Sequence, residues 1–342
     1  MLAELAGLFL PFIGRLETFV SITGKNVLLM ASAALLAHAT LSMAQTYPGQ
    51  SVRWILGFPP GGSSDILTRA VGTKLSELWG QSVIIDNRPG ASGVIANTAV
   101  AKAPPDGYTM LLMSSTFANL VATGKKTPYD PFVDLEPVAQ LAAVPNVLSV
   151  HPSLPVKTVK ELIAVAKSKP GQINYGTGGA LTGPHLATEL LKLMTKTDMV
   201  HVSYKGTPPA VIDLVAGRLQ LMMAVAPVVM PHVKSNRLRA VAVSSTKRIA
   251  ELPEVPVVAD TVPGYETLNW YGVMMPRNTP RAIIGKVNAD FGRVMVMPDI
   301  VQRLADVGFH VTFSSPESLT QFLRKEVDIW KRVITEAKIP VD

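Results

Sequence analysis

The chain contains no cysteine, which excludes disulfides, thiolate nucleophiles and every zinc or iron-sulfur site built on sulfur. Charged residues make up only 17% of the 342, too few for a coiled coil, and apolar residues reach 48%, too many for a disordered tail. The net charge is +7, yet nowhere do four or five basic residues run together, as a nucleic-acid or membrane-surface patch requires. No nucleic-acid partner is expected, and the thinly spread positive excess suits small anions. The histidines at 38, 151, 185, 201, 232 and 310 share no metal-ligand spacing on one helix face, so neither a metal nor a cofactor is expected. No P-loop, G-x-S-x-G or H-E-x-x-H occurs, and Gly90-Ala91-Ser92-Gly93 lacks the spacing of a nucleophile elbow. No catalytic residue is assigned.

What is present begins with an export pattern. Lys25 precedes the apolar run 27–37, and Ser42-Met43-Ala44 gives a small-x-small pattern ahead of Gln45. Residues 1–44 read as a signal peptide with an extra N-terminal lead, cleaved after Ala44, and the mature protein is expected to be exported. The stretch 27–41 holds His38 and falls short of the roughly 20 apolar residues that a membrane span needs.

Beyond Gln45, strand and helix patterns alternate. Val52, Trp54, Leu56 and Phe58 alternate with Arg53, Ile55 and Gly57, and Pro59-Pro60-Gly61-Gly62 stops the strand. A helix follows as far as Gly80, with Ser63 or Ser64 as N-cap and Asp65 in its first turn, where it complements the helix dipole. Further strands are expected at 83–85, 109–113, 144–150, 173–175, 200–204, 219–224, 239–244 and 271–275. Helices are expected at 92–102, 159–169, 184–194, from Pro208 onward, and at 281–297, 298–307 and 316–336. Strands separated by helices predict a parallel, layered α/β sheet, with ligands bound beyond the carboxyl ends of its strands.

Two glycine turns stand out. In Phe58-Pro59-Pro60-Gly61-Gly62-Ser63-Ser64-Asp65, backbone N–H groups at a helix N-terminus suit a carboxylate or phosphate; the same segment also reads as a plain tight turn with a cap. Gly176-Thr177-Gly178-Gly179 repeats the device and adds a hydroxyl. It lacks the third glycine of a dinucleotide fingerprint, because position 181 is leucine. His185, in the first turn of the following helix, is a pocket candidate, and the other histidines read as structural. The alternative of an exported hydrolase using Ser63 or Ser64 lacks an identifiable base.

These turns recur with Asn87-Arg88-Pro89-Gly90-Ala91-Ser92-Gly93, Asp106-Gly107-Tyr108-Thr109, Thr127-Pro128-Tyr129-Asp130, His201-Val202-Ser203-Tyr204-Lys205-Gly206 and Leu252-Pro253-Glu254-Val255-Pro256-Val257. In that order, over 47–339, the chain resembles the Bug family of periplasmic solute receptors, which serve tripartite tricarboxylate transporters. The resemblance implies a type II periplasmic binding fold: two α/β lobes joined by two crossing strands, closing over a ligand cleft. It implies one lobe from 45–145 and 269–342 and another from 146–268. It also implies a monomeric receptor, not an enzyme, that captures a small organic anion and hands it to the large and small membrane subunits of a transporter, or to a sensor. Residue by residue, the resemblance puts Phe58, Pro60, Gly61, Gly62 and Ser63 in the first-lobe loop, and Ser114, Ser115 and Thr116 in the loop after the third strand. Thr177, Gly178, Gly179 and His185 match the second-lobe glycine turn and its helix, and Tyr204 matches the next strand end. There is one departure. Where the family commonly has an acidic and a polar residue, this chain reads Ala224-Val225-Ala226-Pro227. The missing carboxylate disfavours an amine-bearing ligand, and an aromatic or aliphatic carboxylate is expected instead.

Overall fold

A computed structural model of the chain describes residues 47–339; the expected signal peptide and its expected cleavage after Ala44 lie outside them. Gln50–Asp342 forms one compact unit, and all the elements below belong to it.

Strand β1 (Val52–Leu56) buries every residue but Arg53, because sheet neighbours and helices cover both of its faces. It ends two residues before Phe58, short of the expected alternation. Helix α1 (Ser63–Trp79) is capped by Gly62, with no side-chain cap bond. The expected serine N-cap is corrected: Ser63 and Ser64 lie inside the first turn, while the Asp65 carboxylate takes the Gly61 N–H at 3.0 Å. Gly80, at φ 62°, ends the helix, a left-handed position that glycine adopts without strain. After β2 (Val83–Asn87) the backbone turns through positive φ at Gly90, Ala91, Ser92 and Gly93. Helix α2 (Val94–Ala101) therefore starts two residues later than expected.

Strand β3 (Thr109–Ser114) passes directly into α3 (Ser115–Ala122). This corrects the expected loop, since Ser115 and Thr116 form the first turn of a helix. Strand β4 (Leu135–Val150) is 16 residues long, nine residues longer at its start than its hydrophobic run suggested. Then follow α4 (Val159–Ser168), closed by a Thr158–Glu161 capping box, β5 (Asn174–Thr177), α5 (Gly183–Thr195), β6 (Val200–Ser203), α6 (Thr207–Val215) and β7 (Leu221–Val225). Helix α7 (Ala226–Lys234), with Pro231 inside it, has no counterpart in the expected elements. The chain continues through β8 (Arg239–Val243), β9 (Leu268–Pro276), α8 (Arg281–Met295), α9 (Pro298–Ala305), β10 (His310–Val311) and α10 (Pro316–Glu336).

The sheet order is β2-β1-β3-β9-β4-β7-β5-β6, with β8 and β10 also on β4. Pairing is parallel for β1 with β2 and β3, and for β5 with β6 and β7. It is antiparallel wherever β4 or β9 takes part. The expected parallel sheet is thus mixed, because β4 and β9 run against all of their neighbours and β4 pairs in both halves of the molecule. Strand β4 pairs with β9 from Leu135 to Pro145 and takes β7 and β8 as partners from Asn146 or Val147 onward. Each half has its own core, one around Ile55, Phe117, Trp270 and Leu319, the other around Tyr175, Leu191, Met223 and Val241. Burying each such aliphatic side chain contributes about 1.5–3 kcal/mol. A third cluster joins Leu120 of α3, Leu181 and Leu186 around the start of α5, and Trp330 and Ile334 of α10.

Candidate functional site

Four helices bring their first turns to one cavity of about 40 Å³, room for two or three waters at roughly 15 Å³ each. The lining comprises Ser63 and Ser64 of α1, Ser115 and Thr116 of α3, Gly183 and Pro184 of α5, and Thr207 and Pro208 of α6. Val225, the residue before α7, adds a fifth helix start. Phe58, Pro59, Gly62, Ser114, Thr182, Asn269 and Tyr271 complete the wall. No lining residue is charged. First-turn N–H groups lack intrahelical acceptors and carry the positive end of the helix dipole, so this convergence favours an anion without a fixed cation. Pro184, Pro208, Pro209 and Pro227 occupy first turns, where a missing N–H sacrifices no helix bond but also offers no donor, so the donors of these three helices are their non-proline amides.

The wall is tied together by buried hydroxyls and amides. Ser63 Oγ and Tyr271 Oη lie 2.7 Å apart. Burial raises the Tyr271 hydroxyl to about 12, against the Ser63 hydrogen bond, so the phenol stays neutral. Ser115 Oγ donates to Asn269 Oδ1 at 3.1 Å, and Asn269 Nδ2 donates to Asn146 Oδ1 at 2.6 Å. Gly183 sits so close to this pair that an added Cβ would stand 1.8 Å from Asn269 Oδ1.

A second, wider cavity of about 460 Å³ shares Phe58 and Pro59 with the first. Pro89 to Ser92 line one side, and Gly178 to Ala180 with Ser203 to Gly206 line the other. Two hydrogen bonds link segments flanking the cavities: Ser92 Oγ donates to the Ala180 carbonyl and Asn119 Nδ2 to the Leu181 carbonyl, both at 2.8 Å. Pro59 packs against Gly206, leaving no space for a Cβ there.

Among the residues singled out from sequence, Phe58, Gly62, Ser63, Ser114, Ser115 and Thr116 meet at the inner cavity, and Gly178, Gly179 and Tyr204 at the outer one. Pro60 and Gly61 are exposed and line neither; the Gly61 N–H is taken by Asp65. Asp65 also accepts from Arg69 Nε at 2.9 Å and Asn87 Nδ2 at 3.2 Å. Burial works to raise its pKa, but the bonds from Arg69, Gly61 and Asn87 outweigh it and hold the carboxyl below its ordinary value. Thr177 and His185 are buried behind the glycine turn and line neither cavity. Ser63 finds a phenol rather than a base as its partner, so the hydrolase arrangement is not assembled there.

Sequence reading missed Thr182, Gly183, Thr207 and Pro208, although Pro184 and Pro208 already marked helix starts. It also missed Asn269 and Tyr271, which carry no local signal and arrive from β9, more than 200 residues after Ser63.

Residues 67–339 match the family model described as the tripartite tricarboxylate transporter family receptor. The chain is 34% identical over 296 residues to protein BugT of Bordetella pertussis, covering 86% of this chain and 91% of that one. Among solved structures it is similar to R. palustris Rpa4515 with adipate, at 36% identity and TM-score 0.83, covering 86% of this chain and 99% of that one. It is also similar to MatC from Rhodopseudomonas palustris with bound malate, at 29% identity and TM-score 0.80, covering 84% and 100%. These likenesses identify the fold as the two-lobe periplasmic binding fold.

Proposed function

This chain belongs to the tripartite tricarboxylate transporter family of receptors and is a solute-binding receptor rather than an enzyme; on that premise we propose that its solute is a small aliphatic or aromatic carboxylate. The observation that carries the reading is the meeting of five helix starts at a cavity with no charged side chain. One carboxylate group fits the inner cavity, and the body of the acid extends past Phe58 and Pro59 into the outer one. There Lys205 offers a cation to a second carboxylate. Val225 lines the inner wall and no acidic residue does, which leaves an ammonium group without a partner. The adipate and malate held by the two solved relatives support the same class of ligand.

The proposed lobes are 45–145 with 269–342, and 146–268, supported by the change of β4's partners at Asn146. Lobe closure expels water and strengthens each hydrogen bond to the carboxylate. In this reading the receptor is a periplasmic monomer, exported by a signal cleaved after Ala44, that delivers its acid to the large and small membrane subunits of a tripartite transporter. A ligand that binds only the folded form raises stability by mass action. The test is therefore a thermal-shift screen of protein beginning at Gln45, with adipate, malate, aromatic acids and amino acids, checked for turnover by mass spectrometry. A shift of several degrees with a simple carboxylate, without turnover, is expected. Binding confined to aspartate or glutamate would overturn the ligand class.

A further inference from the structure

Behind the glycine turn lies a titratable cluster that the solute site leaves unused. His185 and His201 stack with ring centroids 4.1 Å apart, and Tyr175 stacks on them at 6.4 and 5.0 Å. His185 Nδ1 accepts the Leu181 N–H at 3.1 Å. His201 Nε2 lies 2.7 Å from Thr177 Oγ1, which also donates to the Gly179 carbonyl at 3.0 Å. The two imidazoles thus hold opposite ends of one turn, whose Gly178 to Thr182 segment borders both cavities. On its far side Leu181 adopts φ 59°, gives its carbonyl to Asn119 and packs with Leu120, Trp330 and Ile334.

The charged and titratable groups facing the pair are Glu189 and Lys192 of α5 and Tyr175 of β5. Tyr175 donates to Glu189, and Lys192 Nζ lies 2.7 Å from the same carboxylate and over the Tyr175 ring. Glu189 is therefore already matched, and a proton on His185 would meet Lys192, a second imidazole and the positive end of α5. Burial, His201 and Lys192 push His185 down to about 3, in agreement with a ring held neutral. Protonation at Nδ1 also removes the acceptor of the Leu181 amide.

We propose that His185 is a positioning residue for the solute site: neutral, it holds the glycine turn through the Leu181 amide against α3 and α10, and protonated, it lets the turn go, so that acid favours solute release. The link to solute rests on the cavity reading above; the link between His185 and the turn does not. A released imidazole titrates near its ordinary value of about 6.5. Each pH unit below that favours the released turn by up to about tenfold.

The experiment is hydrogen exchange of the Leu181 amide in solute-free protein between pH 7.5 and 5, read as protection factors and repeated with His185→Asn, whose side-chain oxygen accepts without titrating. Expected is a fall of at least tenfold from pH 6.5 to pH 5 for the unsubstituted protein, confined to the turn and absent from β8 amides, with a flat profile for H185N. A flat profile in the unsubstituted protein overturns the proposal, as does an equal fall in both. Should H185N fail to fold, the unsubstituted profile alone decides. Adipate titrated calorimetrically over the same range then bears on the solute: its affinity should fall about tenfold relative to H185N. If adipate and the other acids bind neither protein at pH 7.5, the solute reading fails while the exchange result stands by itself.

Discussion

Ser63 and Tyr271, 208 positions apart in the chain, share a buried hydrogen bond of 2.7 Å. It fastens the first turn of α1 to strand β9 and sets the direction in which the Ser63 hydroxyl faces the cavity. Tyr271→Phe keeps the ring and removes the bond, a net loss of about 1 kcal/mol. Urea unfolding should show that loss, and calorimetry with the acid that gives the largest thermal shift a several-fold weaker affinity. Unchanged affinity would mean that Ser63 needs no orienting.

Gly183→Ala tests how tightly the cavity is closed. Its φ is ordinary, so the methyl adds no backbone strain, but it would stand 1.8 Å from Asn269 Oδ1 and 2.7 Å from Ser115 Oγ. Asn269 is tied to Ser115 and Asn146, so the shift that the methyl forces on it breaks those bonds. The variant should keep its circular dichroism spectrum and lose at least tenfold in affinity for the same acid.

Ser92→Ala removes the bond to the Ala180 carbonyl without altering the strain at φ 51°, since alanine meets the same steric limit there. A bond worth about 0.5–1.5 kcal/mol spans the two sides of the outer cavity. Its loss should speed solute dissociation by up to about tenfold, measured by stopped-flow fluorescence, with little change in association rate.

Asp65 sets an acid limit to stability. Its carboxyl titrates below its ordinary 3.8 in the fold, so its contribution is fully present above that value and is lost as pH falls through the lower folded one. Asp65→Asn should cost about 1–3 kcal/mol at pH 7, because the Gly61, Arg69 and Asn87 donors lose a charged acceptor. The gap between the two proteins in urea unfolding should narrow towards pH 3. A gap independent of pH would assign the loss to packing alone.

The alternating elements and most of their boundaries were legible because the apolar periods and the Gly and Pro stops are local. Helix α1 ends at Gly80 and α10 spans the expected 316–336 for that reason. What local pattern concealed was set by long-range pairing. The first nine residues of β4 are a strand only because β9 lies beside them, and α7 forms around Pro231 under the packing of its neighbours. The candidate site divides the same way. The glycine turns announced Phe58, Gly62 and Gly179, whereas Asn269 and Tyr271 reach the cavity through topology alone. His185 was visible as a residue at a helix start, but its role as acceptor for Leu181 depends on a turn conformation that no spacing encodes.

The inner cavity takes its polarity from where helices begin rather than from any ionised side chain. Donors of that kind belong to the main chain, so point substitution leaves them in place. Side chains beside those donors, such as Val225 in the inner cavity and Lys205 in the outer one, can therefore change in size and polarity and retune the accepted acid by a few atoms at a time. A receptor built this way can change its diet while keeping its grip on the carboxylate.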